Sequence, residues 1–243
     1  MTTRYDRIGR SYDATRGEDP RIAAQIWAAL GDAETVLNVG AGTGHYEPRD
    51  RAVTAVEPSA VMRAQRPPGA APCIDARAEA LPFGDGEFDA AMAVLSDHHW
   101  SDRLAGLREL RRVARRAVVF QWDPAYVGAF WLARDYLPSF ARADDGRFEA
   151  AKAALGATRD IVVPIPHDCR DGFLMAYWRR PEAYLDATVR ANISVFSLLP
   201  PAEVEAMVAA LRDDLASGAW RTRNAELVGQ DEHDFGYRLL VAE

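Results

Sequence analysis

Residues 35–57, TVLNVGAGTGHYEPRDRAVTAVE, constrain this chain more than any other stretch. Val36, Leu37 and Val39 form a short apolar run that reads as a buried strand, and it passes directly into Gly40-Ala41-Gly42-Thr43-Gly44. A second apolar run over 52–56 predicts another strand, ending on Glu57. Glycine lets the backbone turn sharply and approach a ligand closely. A carboxylate at the tip of the following strand accepts hydrogen bonds from ribose hydroxyls. Glycines alone are common in loops. Glycines between two strands, with an acid 17 residues after Gly40, point to a nucleoside site on an open parallel sheet.

The dinucleotide fingerprint G-x-G-x-x-G needs a third small residue where the next helix packs on its strand. Counting from Gly40 that place holds His45, and counting from Gly42 it holds Glu47. The pattern present is G-x-G-x-G. Other segments accompany it: Glu57-Pro58-Ser59 followed by Met62; Ala78-Glu79-Ala80-Leu81-Pro82-Phe83 with Phe88-Asp89; His98-His99-Trp100; and LRELRRV over 107–113. Together, over roughly residues 4–123, they resemble the Rossmann-like (class I) S-adenosylmethionine-dependent methyltransferases, in their small-molecule "type 11" branch. The resemblance implies an α/β fold with a doubly wound, mostly parallel seven-stranded sheet and S-adenosylmethionine as cofactor, leaving S-adenosylhomocysteine as product. It implies cofactor contacts from Gly40, Ala41, Gly42, Gly44, Glu57, Pro58, Met62, Ala78, Glu79 and Leu95. It also implies an N-terminal segment closing over the cofactor, Tyr12 shielding it and Arg16 reaching its carboxylate; from the residues alone, surface packing explains these two equally well. Two positions depart from the family pattern. Asn38 stands where an acid is usual, weakening a contact to the methionine amino group, and Arg77 stands where Asp is frequent, so Ala78, Leu81 and Met62 are left to wall the adenine.

The chain has 243 residues, 49% hydrophobic and 27% charged, an ordinary globular composition. Its net charge of −7 argues against nucleic acid as a partner. The N-terminus lacks an apolar signal core, and no stretch approaches the ~20 apolar residues of a membrane span. Cys73 and Cys169 are too few for a disulfide framework, and neither they nor the five histidines show metal-ligand spacing. The expectation is a cytoplasmic protein with free thiols, no metal and a small-molecule acceptor. The arginines at 108, 111, 112, 115 and 116 read as the solvated face and last turn of an amphipathic helix.

Along the chain, Asp19 and Pro20 open a helix whose Ile22, Ile26 and Leu30 share a face, and Gly31 ends it. The twelve residues from Gly40 to Arg51 barely suffice for a parallel crossover, and Pro48 limits any helix there to about one turn. Further expectations are a short helix over 59–66, strands over 72–75, 88–95 and 118–122, and a helix over 102–115 carrying Leu104, Leu107, Leu110 and Val113. Helices over 125–142 and 147–155, a strand over 160–165, a helix over 201–216 and a last strand over 235–241 follow. The organisation expected is a cofactor-binding core with N-terminal lid helices over 1–166, a helical insertion over 167–218 forming lid and acceptor pocket, and a returning strand within 219–243.

Methyl transfer asks the protein mainly to position the acceptor and exclude water. Where the acceptor is a hydroxyl, a base helps. Candidates are His167, opening the insertion beside Asp168, and His98 within Asp97-His98-His99 after the fourth strand, where open α/β sheets bind ligands. Packing or loop roles explain these histidines as well. Phe173, Tyr177, Trp178, Tyr184 and Phe196 suit a pocket for a ring-bearing acceptor or a helix core stripe, and Arg179-Arg180 suit an acidic substrate group or a surface helix boundary. Besides a small-molecule methyltransferase acting on O, N or C, two alternatives stand: an S-adenosylmethionine-binding protein without methyl transfer, and a nicotinamide-dependent oxidoreductase.

Overall fold

The computed structural model describes residues 15–140 and 146–243. Its elements run in the order α1 (Pro20–Ala29), β1 (Thr35–Val39), β2 (Ala52–Val56), α2 (Ala60–Ala64), β3 (Cys73–Ile74), β4 (Phe88–Val94), α3 (Arg103–Val113), β5 (Ala114–Trp122), α4 (Trp131–Tyr136), α5 (Arg147–Leu155), β6 (Arg159–Val162), β7 (Ile165–Pro166), α6 (Ala187–Ala191), α7 (Pro201–Ser217), α8 (Ala219–Arg223), α9 (Ala225–Val228), β8 (Glu232–His233) and β9 (Tyr237–Ala242). Seven strands make one sheet, ordered β3-β2-β1-β4-β5-β9-β6, with β9 antiparallel to both its neighbours and the other pairs parallel. Strand order reverses between β1 and β4, which opens a crevice at their carboxyl ends.

Alternation along the strands sorts side chains to two faces. Val36, Val118, Phe120, Leu239 and Val241 point to one, where Ile22, Ile26 and Leu30 of the first helical segment pack. Leu37, Val39, Ala117, Val119 and Leu240 point to the other, against Leu107, Leu110 and Val113 of α3. Capping follows the sequence: Asp19 accepts from the Arg21 N–H, Ser59 from Met62 and Asp102 from Ala105.

Several boundaries differ from expectation for local reasons. Residues 40–51 contain turns and no helix; the loop is held instead by Trp27, whose Nε1 donates to the Tyr46 carbonyl at 3.0 Å. Strand β5 begins at Ala114, so Arg115 and Arg116 lie on a strand rather than a helix end, paired with Asp89 (3.3 Å) and Glu243 (3.2 Å). The helix expected over 125–142 is a 3-10 segment, Pro124–Ala129, followed by α4. Gly128 weakens the first part and Pro138 forbids continuation of the second. The strand expected over 160–165 is divided at Pro164, which lacks an N–H: β6 joins the main sheet, while β7 pairs with β8 in a small separate one.

The segment 167–218 has no core of its own. Trp178 and Tyr184 are fully buried in the cluster that covers the α1 face of the sheet. Their polar atoms are satisfied internally: Trp178 Nε1 donates to Ile165 O (3.0 Å), and Tyr184 OH to Leu174 O (2.5 Å).

Candidate active site

Two adjoining cavities lie at the carboxyl end of the sheet. The first, about 280 Å³, is walled by the glycine loop, the tip of β2, residues 77–79 and the turn after β4. Gly40, Ala41, Gly42, Gly44, Glu57, Pro58, Met62, Ala78, Glu79, Leu95 and Arg16 all line it. Tyr12 lies outside the described residues. Leu81 is a core residue of the α3 face and is not part of this wall. Lining residues not anticipated as cofactor contacts are Thr43, His45, Tyr46, Val94, Ser96, Trp100, Ser101 and Asp171, and His99 of the candidate base group lines it too.

The loop needs its glycines. Gly40 (φ 68°) has Ser96 Cβ only 2.7 Å from where its own Cβ would stand. Gly42 (φ 54°) has Met62 Cε at 3.3 Å. A side chain at either position meets left-handed strain, joined by a clash at Gly40 and a tight contact at Gly42. Glu57 closes the loop from below. Gly42 N–H donates to Oε2 at 2.9 Å and Ser59 N–H to Oε1 at 2.8 Å, which leaves each oxygen a further lone pair. Burial pushes the Glu57 carboxyl up, against the lowering effect of those two bonds.

That shift has a binding consequence. Ribose hydroxyls donate to an ionised carboxylate, so a ligand of this kind favours deprotonated Glu57 and is lost as pH falls through the raised value. Affinity for S-adenosylhomocysteine is therefore expected to weaken on acidification, between neutral pH and the ordinary carboxylate range. Calorimetric titration across that range checks it. A flat profile, or tighter binding in acid, contradicts it.

Asn38 pairs with an acid of the loop, Glu47, which does not itself line the cavity. Asn38 Nδ2 donates to Glu47 Oε1 at 3.2 Å, and Arg66 Nη2 contacts both Glu47 oxygens at 2.8 and 2.9 Å. Arg66 Nη1 also donates to the Gly42 carbonyl at 3.3 Å, so this buried pair braces the glycine loop. Glu79 is already engaged: Oε1 accepts from Ser101 N and Oγ, both 2.7 Å, and from Asp102 N at 3.1 Å. Burial acts to raise its pKa, but these bonds outweigh it and lower the value. It caps the entry to α3. Arg77 is exposed at the cavity rim.

Trp100 reaches the cavity because α3 carries Gly106 beneath it. A Cβ at Gly106 would lie 2.4 Å from Trp100 Cε3. In an open helix Gly→Ala gains about 1 kcal/mol. Here overpacking costs about 1–3 kcal/mol, so Gly106→Ala is expected to lower the denaturation midpoint. A higher midpoint would show that the ring moves away freely.

Arg16 is locked to the insertion. Its Nε donates to Asp171 Oδ1 at 2.5 Å and Nη2 to Oδ2 at 3.2 Å, while Tyr46 OH donates to the same Oδ2 at 3.0 Å. Gly172 N–H donates to Thr15 O at 3.0 Å, and a Cβ at Gly172 would stand 2.3 Å from that oxygen. The segment before α1 thus crosses the insertion by close backbone approach.

The second cavity, about 250 Å³, shares Arg16, Leu95 and His99 with the first. Leu95 has φ 49°, an uncommon conformation for a non-glycine residue, at the turn between the two. Phe173, Leu174, Ile193, Val195 and Leu198 from the insertion form apolar walls; Asp97, His98, Arg103 and Gln121 form a polar side. The His98 and His99 rings stand 3.8 Å apart, and His98 Nδ1 is 3.8 Å from Asp97 Oδ1.

His167 lines neither cavity. Its Nδ1 lies 3.1 Å from the Asp231 carbonyl, beside the β7–β8 pair, and Asp168 is drawn to Arg21 at 2.8 Å. The start of the insertion follows the small sheet rather than the main one, which carries His167 away from the crevice. Of the expected aromatic set, Phe173 lines the second cavity, whereas Trp178, Tyr184 and Phe196 serve the core and Tyr177 packs against it. Arg179 donates to Gln230 O (2.7 Å) and Arg180 to Cys169 O (2.6 Å), both structural bonds. Among the described residues no group of acidic, His and Cys side chains is arranged to hold a metal, and no helix is long and apolar enough to cross a membrane.

A family described as "Methyltransferase domain" matches residues 37–120. A malonyl-acyl-carrier-protein O-methyltransferase of Erwinia pyrifoliae is 41% identical over 119 residues, a match covering 46% of this chain and 45% of that protein. The aligned part therefore spans under half of that relative. A solved structure from Anabaena variabilis, described as a candidate methyltransferase from an antibiotic biosynthesis pathway, is 32% identical with a TM-score of 0.84, covering 94% of this chain and 99% of its own. The (4+2) cyclase SpnF, 18% identical over 98% of this chain and 92% of its own, has a TM-score of 0.55 and shares the fold.

Proposed function

Because the chain belongs to the Rossmann-like S-adenosylmethionine-dependent methyltransferases, we propose that it methylates a small-molecule acceptor held in the second cavity. The observation that carries this reading is the pair of cavities meeting at Leu95, His99 and Arg16. One has the furnishings of a nucleoside site. The other is apolar with a polar side, as acceptor sites for small organic molecules are.

The first cavity suits S-adenosylmethionine on its own features. Glu57 presents spare lone pairs, the loop glycines turn the backbone sharply at positive φ along the cavity, and the Thr43 hydroxyl is buried there without a partner. Met62, Ala78 and Trp100 offer apolar walls for the base. When bound, this cofactor supplies an electrophilic methyl on a good leaving group. The chain's part is then to hold the acceptor in line, exclude water and, for a hydroxyl acceptor, take its proton. His99 is placed for that proton because it borders both cavities, and His98 stands next to it on the acceptor side.

Residues 167–218 serve as lid and acceptor wall over a core spanning 1–166, with the last strand returning from 219–243. The net charge of −7 favours a small, non-polyanionic acceptor over nucleic acid, and cytoplasmic residence accords with two free thiols. Incubation with methyl-labelled S-adenosylmethionine and a panel of hydroxyl, amine and carbon acceptors tests the reading. Label appearing on a small acceptor supports it; tight cofactor binding with no transfer to any acceptor favours a binding-only role.

A further inference from the structure

The floor of the second cavity carries a feature that methyl transfer itself does not require. Asp97 and Gln121 are 0% and 2% exposed, and Arg103 of α3 lies between them. Arg103 Nε donates to Asp97 Oδ2 at 2.7 Å, and its Nη2 contacts both Asp97 Oδ2 (2.6 Å) and Gln121 Oε1. A guanidinium only donates, so it must meet the oxygen of the Gln121 amide, and the amide NH₂ is turned elsewhere. One atom of each residue is thus committed and one is left. Asp97 Oδ1 and Gln121 Nε2 are both buried without a hydrogen-bond partner, and both residues line the cavity. His98 Nδ1, at 3.8 Å from Asp97 Oδ1, is too far to complete it. Burial acts to raise the Asp97 pKa, but His98 and Arg103 outweigh it and keep the carboxyl ionised, an acceptor only.

We propose, resting on the reading of this cavity as the acceptor site, that Asp97 Oδ1 and Gln121 Nε2 together anchor the methyl acceptor. The acceptor is then an apolar or aromatic compound bearing a neutral group with a donor and an acceptor side by side, such as a carboxamide, a lactam or a hydroxy-carbonyl. The donor meets Asp97 and the acceptor meets Gln121. Arg103 already balances the Asp97 charge, so the anchor calls for an uncharged head. A carboxylate brings no donor to Asp97 and adds like charge beside it. Trp122, Phe140, Phe173, Leu174 and Val195 supply flat and branched walls for the remainder; the Trp122 and Phe140 rings stack at 5.6 Å.

Benzamide, acetophenone and benzoate share one ring and differ only in that head. Their binding to the full chain saturated with S-adenosylhomocysteine can be ranked by ligand-observed NMR. Benzamide is expected to bind about tenfold tighter than acetophenone, which lacks the donor, with benzoate weakest. Gln121→Glu keeps an oxygen for Arg103 but removes the donor, and is expected to abolish the benzamide preference. Equal affinities, no binding by any of the three, or a preference unchanged in Gln121→Glu overturns the anchor. Benzoate binding tightest also overturns it, and points instead to anion recognition by Arg147, which lines the same cavity. S-adenosylhomocysteine affinity is measured in the same samples. Intact cofactor binding with unranked probes removes the anchor alone, whereas absent cofactor binding removes the methyltransferase reading beneath it.

Discussion

His99→Ala is expected to slow methyl transfer to a hydroxyl acceptor by about 10²–10⁴-fold, the usual contribution of a positioned general base. The effect should fall on turnover, with S-adenosylhomocysteine affinity changed far less. The reason is placement: the imidazole borders both cavities, where an acceptor oxygen and the transferable methyl must meet. His98 lines only the acceptor side and keeps company with Asp97, so His98→Ala should cost less. His167→Ala should behave as wild type, since that ring contacts the Asp231 backbone away from the crevice. Single-turnover rates with labelled cofactor separate the three. Wild-type rates in His99→Ala mean that positioning alone suffices. A larger loss in His167→Ala would require a rearranged insertion.

Arg66→Ala is expected to destabilise the fold by about 3–5 kcal/mol, because it leaves Glu47 as an uncompensated buried carboxylate. Both side chains of the pair are over nine-tenths buried, and Arg66 also holds the Gly42 and Ala71 carbonyls. The glycine loop has no helix behind it, so this pair does the bracing that a crossover helix does elsewhere. Urea denaturation measures the loss. The double variant Arg66→Met with Glu47→Leu should recover much of it, since removing both charges abolishes the orphan. Should Arg66→Ala unfold at the wild-type midpoint, water reaches Glu47 and the brace is dispensable.

These sites differ in how far local sequence could disclose them. The strand, glycine loop, strand and Glu57 sit within one short window, and positive φ at Gly40 and Gly42 is a demand that glycine alone meets cheaply. The stripes on α1 and α3 were legible for the same reason: helical period is a local property. The start of β5 was hidden because Arg115 and Arg116 look like a helix end, and only the backbone pairing of 114–116 with β4 makes them strand residues. Arg16 meets Asp171 across 155 positions of sequence, and Arg103 meets Gln121 across 18. No periodicity announces such pairs. His167 was misplaced by counting from the penultimate strand, which Pro164 divides. Glu47, read only as a failed third glycine, turned out to join Asn38 and Arg66 in the brace behind the loop.

The central claim is that the glycine loop and Glu57 form an S-adenosylmethionine site, and a calorimetric titration with S-adenosylhomocysteine tests it most directly. Wild-type protein should bind one equivalent and show no comparable affinity for NAD or NADP. Glu57→Ala, which removes the carboxylate at the tip of β2, should retain its fold and bind about ten- to a hundredfold more weakly, the worth of one or two hydrogen bonds to a charged group. Unchanged affinity in folded Glu57→Ala, or NAD binding in preference to S-adenosylhomocysteine, would contradict the account.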